Sequence, residues 1–282
     1  MRSDLRGAPA LALVRTDCGI TREVTDMSVF DAFRIDGRVA LVTGGSKGLG
    51  RSMALALAEA GADVAICSRN GDEAADAARE VERATSRRAV GFACDVTDPG
   101  SVQRLAHDCQ AALGNVDILL NNAGVNVRKP TVELTEADWD SVLDISVKGS
   151  FLCSQAFMPG MIERKWGRVV MLGSIMSFVA IPGRSAYAAA KAAVLGLARA
   201  LALEGAPHGV TVNCLCPGPF ETPMNRVLMN DPAAYEAFLA KIPVGRWGQP
   251  DELGPAIVYL CSPASAFMTG ASFVIDGGWT AQ

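Results

Sequence analysis

From residue 38 onward two patterns alternate along the chain. Short, almost wholly apolar runs rich in Val, Ile, Leu and Ala are followed by longer stretches in which apolar residues recur every three or four positions. Runs that are apolar on both faces predict buried parallel strands, and the longer period predicts amphipathic helices. Strands are expected at 38–43, 62–68, 89–94, 116–120, 168–172, 210–215 and 272–275. Helices are expected at 49–60, with Gly61 as its C-cap, at 72–85, from Asp98-Pro99 to about residue 113, from Thr135 towards residue 164, at 185–204 and at 251–261. Strict alternation of strand and helix predicts an α/β fold, a single-domain doubly wound parallel sheet of about seven strands (Rossmann) with helices on both faces. Two stretches break the rhythm. Residues 1–34 show neither period and are read as an N-terminal extension, either disordered or an over-long start, since Met27 offers a second beginning just before the first strand. Residues 218–249 mix helical pattern with prolines late in a domain spanning 35–282. An insertion there lies at the carboxyl ends of the strands, where ligands bind in such folds, and is read as a substrate lid.

Composition narrows the function classes. Half of the 282 residues are hydrophobic but only 6% are aromatic, which suits Ala-rich helices packed closely on a sheet. The net charge of −4, with both signs interspersed, gives no basic face for nucleic acid. The eight cysteines are scattered without a C-x-x-C pair, and Cys214 and Cys216 share one face of a strand; reduced core thiols in a cytoplasmic protein are the expectation. With two histidines, His107 and His208, a His-based metal site and a Ser-His-Asp triad are both excluded. No run is read as a membrane span, the stretch 8–14 ends at Arg15 and makes a poor signal core, and Asp4, Asp17, Glu23 and Asp26 argue against a transit peptide.

The first chemical signal is Thr43-Gly44-Gly45-Ser46-Lys47-Gly48-Leu49-Gly50, placed between the first strand and the first helix. Glycines let the backbone turn tightly and approach a pyrophosphate, while the helix N-terminus presents free N–H groups to it. The spacing G-x-x-x-G-x-G differs from the standard dinucleotide fingerprint, and its position after a strand gives it weight. The second strand ends Cys67-Ser68-Arg69-Asn70, without the acid that would hold a ribose 2′-hydroxyl. Arg69 is expected to pair with a 2′-phosphate and Lys47 to add a second positive charge, which selects NADP(H) over NAD.

Further motifs follow in order: Asp95-Val96, Asn121-Asn122-Ala123-Gly124, Ser174, Tyr187-x-x-x-Lys191, Pro217-Gly218 with Thr222, and Asp276-Gly277-Gly278. With these the chain resembles the short-chain dehydrogenase/reductase family over nearly all of residues 36–282. Tyr187 and Lys191, four apart, share one face of a helix, and an ammonium beside a phenol favours the phenolate. The resemblance implies that Tyr187 is the general acid in reduction and base in oxidation, that Ser174 polarises the substrate oxygen, and that Lys191 also holds the nicotinamide ribose. It further implies Asp95 and Val96 at the adenine, Asn121, Asn122, Ala123 and Gly124 along the middle of the cofactor, Pro217 and Gly218 behind the nicotinamide, and Thr222 at its carboxamide. One position departs from the family pattern: Ser146 stands where an asparagine usually helps hold a relay water, which predicts a slower proton relay.

The substrate is less sharply marked. Asn126-Val127-Arg128-Lys129-Pro130, Pro217-Gly218-Pro219-Phe220-Glu221-Thr222 and Arg246-Trp247-Gly248 look like the gluconate 5-dehydrogenase type of sugar-acid and polyol oxidoreductase. Arg128 is then a candidate receiver of a substrate carboxylate, beside Ser174 and Tyr187. Two alternatives stay open: a 3-oxoacyl-thioester reductase, which Met224, Val227, Leu228 and Met229 would suit, and an NADP(H)-binding sensor with little turnover. The expected partners are a small-molecule substrate and three further copies of the chain, since the family usually forms tetramers; no nucleic acid, membrane or metal is expected.

Overall fold

A computed structural model of the protein describes residues 13–15, 21–23 and 28–282. The rest of the N-terminal extension, including Met27, lies outside the described residues. Leu13–Arg15 and Thr21–Glu23 pair as a short antiparallel ribbon. Val29–Phe33 forms a 3-10 turn capped by Ser28, and Phe33 lies 6.1 Å from the ring of Tyr259. Short strand and turn structure therefore occurs where the sequence shows no period.

Seven parallel strands form one sheet: β1 Val39–Thr43, β2 Asp63–Ser68, β3 Ala89–Ala93, β4 Ile118–Asn121, β5 Gly167–Leu172, β6 Val210–Pro217 and β7 Ser272–Ile275. Their order is β3-β2-β1-β4-β5-β6-β7, so the crossover switches sides between β1 and β4, the place where doubly wound sheets open a crevice. Every residue of β1 is buried because the two faces serve two cores. Val39 and Leu41 point into one core, Ala40 and Val42 into the other. The first core is covered by α3 (Pro99–Leu113), α5 (Gly149–Glu163) and α6 (Ser185–Gly205); the second by α1 (Gly48–Glu59), α2 (Gly71–Thr85) and α9 (Gly254–Cys261).

Helix ends follow the local chemistry. Asn70 caps α2 through the N–H groups of Asp72 and Glu73, and Asp98 caps α3 with Pro99 in its first turn. Thr135 and Asp138 form a reciprocal capping box on α4 (Glu136–Leu143). The single long helix expected from Thr135 is interrupted by a π turn at Asp144–Lys148 before it continues as α5. The helix expected at 251–261 opens as a 3-10 turn, Pro250–Leu253, before α9.

The membrane reading needs one correction. Ser185–His208 is long and apolar enough to cross a membrane by length and composition. Its apolarity comes largely from alanine, it packs on β5 and β6, and it buries the charged Lys191, so it is built into the sheet as a core helix. The segment 218–249 folds as α7 (Arg226–Met229) and α8 (Pro232–Leu239) with intervening turns, over the carboxyl ends of the strands.

Candidate active site

At the carboxyl ends of β1, β4, β5 and β6 lies a cavity of about 340 Å³. Its floor is the glycine turn. Gly44 and Gly48 adopt φ of +62° and +55°, a region costly for side-chain-bearing residues. A Cβ on Gly50 would lie 2.4 Å from Asn122 Nδ2 and 2.6 Å from the Gly44 carbonyl, so only glycine lets α1 start so near β4. Asn122 Nδ2 donates to the carbonyls of Thr43 and Gly44, at 2.8 and 3.0 Å. Thr43 Oγ1 accepts from the N–H groups of Asn122 and Ala123, both at 3.0 Å. The first turn of α1 has no side-chain cap, which leaves its N–H groups available to an anion.

Gly44, Lys47, Gly48, Leu49 and Gly50 line this cavity together with Asn122, Ala123, Gly124, Pro217, Gly218 and Thr222. Ser46 does not. Asn121 is corrected: it faces the core, where its amide donates to Ser154 Oγ at 3.1 Å and to Met171 sulfur, and Asn122 takes the position at the cavity. Arg69, Asp95 and Val96 line a smaller neighbouring cavity that shares Gly44, Ala123 and Gly124. The Thr97 N–H and hydroxyl hold the Asp95 carboxyl below its ordinary range, with a smaller contribution from Arg69. Lys47, expected to add a second positive charge beside Arg69, has its ammonium 2.7 Å from Glu73 Oε1, in the first turn of α2.

Ser174, Tyr187 and Lys191 meet in the main cavity. Ser174 Oγ accepts from the Met176 N–H at 3.1 Å, which leaves its own proton to donate. Lys191 Nζ donates to the Leu172 carbonyl at 2.6 Å and sits 5.5 Å from the Tyr187 ring centre. A residue absent from the sequence reading ties these parts together. Ser177 Oγ donates to the Lys191 carbonyl at 2.8 Å and accepts from the Ser174 N–H at 3.3 Å, coupling the loop after β5 to α6. Beneath that loop Cys214 and Cys216 do share one face, 3.7 Å apart, and a Cβ on Gly173 would lie 2.7 Å from either sulfur.

Ser146 sits in the π turn, 1% exposed, and its Oγ has no hydrogen-bond partner among the described residues. A Cβ placed on Gly124 would have Ser146 Oγ at 3.5 Å, Lys191 Nζ at 3.6 Å and the Asn122 carbonyl at 3.8 Å. Three polar atoms thus surround one point beside Gly124.

The outer wall is supplied by the 218–249 segment and by two arginines. Trp247 stacks between Tyr235 and Phe238, at 5.8 and 5.6 Å, which makes it a packing residue that also lines the cavity. Arg128 Nη2 donates to the Met224 carbonyl at 2.9 Å and to Asn225 Oδ1 at 3.0 Å, so this arginine is joined to the 218–249 segment. Arg184, the residue before α6, is buried and lines the same cavity. Burial first, and then the Arg128 cation, push the Arg184 guanidinium down to about 10, against the pull of Tyr187. Its place three residues before Tyr187 is a signal the sequence offered, since residues three apart share a helix face.

The comparisons with known proteins agree with this geometry. A family model described as enoyl-(acyl carrier protein) reductase matches residues 44–280. The chain is 36% identical to a 2-dehydro-3-deoxy-D-gluconate 5-dehydrogenase of Pseudoalteromonas atlantica, over 89% of this chain and 99% of that one. It is 40% identical to a D-threitol dehydrogenase of Mycolicibacterium smegmatis, over 92% and 98%. A crystal structure of a gluconate 5-dehydrogenase from Burkholderia cenocepacia, in complex with NADP and tartrate, superposes with a TM-score of 0.87 at 38% identity, covering 90% of this chain and all of that one. Matching over this span, together with the Ser174, Tyr187 and Lys191 geometry, leads to one conclusion: the chain belongs to the short-chain dehydrogenase/reductase family.

Proposed function

We propose that the protein is an NADP(H)-dependent oxidoreductase that interconverts a small polar alcohol and its ketone, with a sugar acid as the substrate. The observation that carries the reading is the convergence of Ser174, Tyr187 and Lys191 on a cavity whose other end is a glycine cradle with an uncapped helix N-terminus. The residues present fit a dinucleotide phosphate. The open turn at Gly44, Gly48 and Gly50 accepts a pyrophosphate, and Arg69 stands where a 2′-phosphate would need a cation. When bound, the nicotinamide supplies or accepts the hydride.

The chain's own residues do the rest. In the direction of reduction, Ser174 donates its uncommitted proton in a hydrogen bond to the substrate oxygen, and Tyr187 transfers a proton to that oxygen. In oxidation Tyr187 removes it. Lys191, fixed by the Leu172 carbonyl, places its charge beside the tyrosine, and Ser177 holds the serine loop and α6 in register. Ser146 Oγ and Lys191 Nζ both border the space beside Gly124. The lid of 218–249 closes over the substrate and excludes water. Arg128 stands on the substrate side, joined to that lid.

A second reading, reduction of an acyl thioester, draws on the apolar wall of Met176, Ile181, Leu228 and Phe238 and on the acyl-carrier description of the matching family model. Nicotinamide absorbance followed with NADP and NAD against gluconate, 5-ketogluconate, neutral polyols and an acetoacetyl thioester separates these readings. NADP-dependent turnover of a sugar acid that is lost in Tyr187→Phe supports the first. Turnover confined to the thioester supports the second. Tight NADPH binding without turnover of any carbonyl would leave a sensor and overturn both.

A further inference from the structure

Among the described residues four cations line the main cavity, Lys47, Arg128, Arg184 and Lys191, and no carboxylate does. Three of the four have a use. Lys47 is paired with Glu73, Lys191 is bonded to the Leu172 carbonyl beside Tyr187, and Arg128 is bonded to Met224 and Asn225 of the lid. Arg184 is left over. It is 8% exposed, and among the described residues its guanidinium has neither a hydrogen-bond acceptor nor an ion-pair partner. A buried cation without a counter-charge, next to a second cation, is unfavourable unless an anion joins it. Its position is fixed. It precedes the first residue of α6, its carbonyl accepts the Ala188 N–H at 2.8 Å, and the neighbouring Ser185 hydroxyl is held 3.1 Å from Thr131.

We propose that Arg184 receives the substrate carboxylate, so that the enzyme selects a hydroxy acid over a neutral polyol. The proposal rests on the oxidoreductase reading above and deepens it by naming the charged end of the substrate. A planar guanidinium receives a carboxylate through two parallel hydrogen bonds. With Arg184 one helical turn before Tyr187, the acid end and the reacting carbon are held from the same helix.

The test compares kcat and KM for gluconate and for threitol, with NADP at saturation, in the wild type, Arg184→Met and Arg184→Lys, together with calorimetric titration of tartrate into the NADP-loaded protein. Loss of a charge-assisted pair is expected to raise KM for the acid in Arg184→Met by roughly tenfold to a hundredfold. Threitol kcat/KM should stay within about twofold, and tartrate binding should weaken in parallel with acid binding. Arg184→Lys keeps the charge but not the fork and should fall between. If Arg184→Met does not fold, Arg184→Lys alone decides, by raising KM for the acid and not for threitol. Equal losses on acid and polyol, or an unchanged KM for the acid, overturn the assignment while leaving the oxidoreductase reading in place. A wild type that turns over threitol but no acid overturns the sugar-acid reading itself, before any variant is made.

Discussion

Thr43 closes β1 without lining the cavity itself, and the hydrogen bonds around it predict a large effect of an almost isosteric change. Its Oγ1 accepts from the N–H groups of Asn122 and Ala123, each at 3.0 Å, and donates to the Leu120 carbonyl at 3.3 Å. In Thr43→Val the shape survives and the hydroxyl is lost. The Asn122 N–H keeps a partner, because the Leu120 carbonyl also accepts from it at 3.0 Å. The Ala123 N–H keeps none among the described residues. An orphaned N–H costs about 1–3 kcal/mol, and the lower part of that range applies because Ala123 is only half-buried. With the weakened Asn122 contact, Thr43→Val is expected to lose about 2 kcal/mol, which in a domain of this size lowers Tm by roughly 4–8 °C. Thr43→Ser retains the hydroxyl and deletes one buried methyl, a loss of about 1 kcal/mol and roughly half the shift in Tm. Differential scanning fluorimetry of the three proteins, with NADPH fluorescence titration in parallel, checks this. The valine variant should also bind NADPH more weakly, since the Asn122-Ala123 turn is part of the cradle. A valine variant melting within 2 °C of wild type, or a serine variant as destabilised as the valine one, would refute the hydrogen-bond argument.

Three other outcomes are expected. Arg69→Ala should raise KM for NADP by roughly tenfold while leaving KM for NAD nearly unchanged, read by steady-state kinetics with both cofactors; an equal change for the two would remove Arg69 from the 2′-phosphate. Ser146→Asn should raise kcat, because a longer amide reaches further into the space beside Gly124 and Lys191; unchanged turnover and an unchanged solvent isotope effect would sink that idea. Asp138 is held down to about 2, first by the Lys129 ammonium and then by the N–H and hydroxyl of Thr135. A carboxyl depressed on folding contributes stability that is present above its unfolded value near 4 and lost as pH falls through about 2. The difference in melting temperature between wild type and Asp138→Asn should therefore be constant from pH 7 to 5 and shrink between pH 4 and 2, and a pH-independent difference would contradict it.

The sheet was legible because each strand is apolar on both faces, a pattern that only a doubly covered parallel sheet explains. Asp98 and Thr135 marked helix starts because their side chains satisfy N–H groups within three residues, which is local chemistry, whereas the cap that Asn70 places on α2 went unread. The end of β6 was missed. It runs on through Cys216 to Pro217, and proline, lacking an N–H, reads as a break even where it only completes a strand. That Ser174, Tyr187, Lys191 and the glycine turn share one cavity was legible because family motifs and helical spacing both point to them. Contacts across large sequence separations were not. Nothing in the spacing says that Lys47 meets Glu73, that Arg128 reaches Asn225, or that Asn121 turns inward while Asn122 faces the cavity. Arg184 carried a readable position but no readable burial, and burial is what makes its charge informative.

The departure at Ser146 becomes intelligible once its helix is seen as a column of serines. Ser150 Oγ donates to the Ser146 carbonyl and Ser154 Oγ to the Ser150 carbonyl, both at 2.7 Å, while Asn121 Nδ2 donates to Ser154 Oγ. The π turn shifts the Gly149 N–H to the Asp144 carbonyl, and the carbonyl of Ser146 is met by a side chain. Each of these two hydroxyls spends its proton on a carbonyl, so the column cannot hand protons along its length; it fixes α5 against β4. Ser146 alone has its hydroxyl uncommitted, at the end of the column that faces Lys191. Within the column Ser146 is thus the hydroxyl with a proton to spare, beside the space that Gly124 and Lys191 border, and the two below it anchor α5.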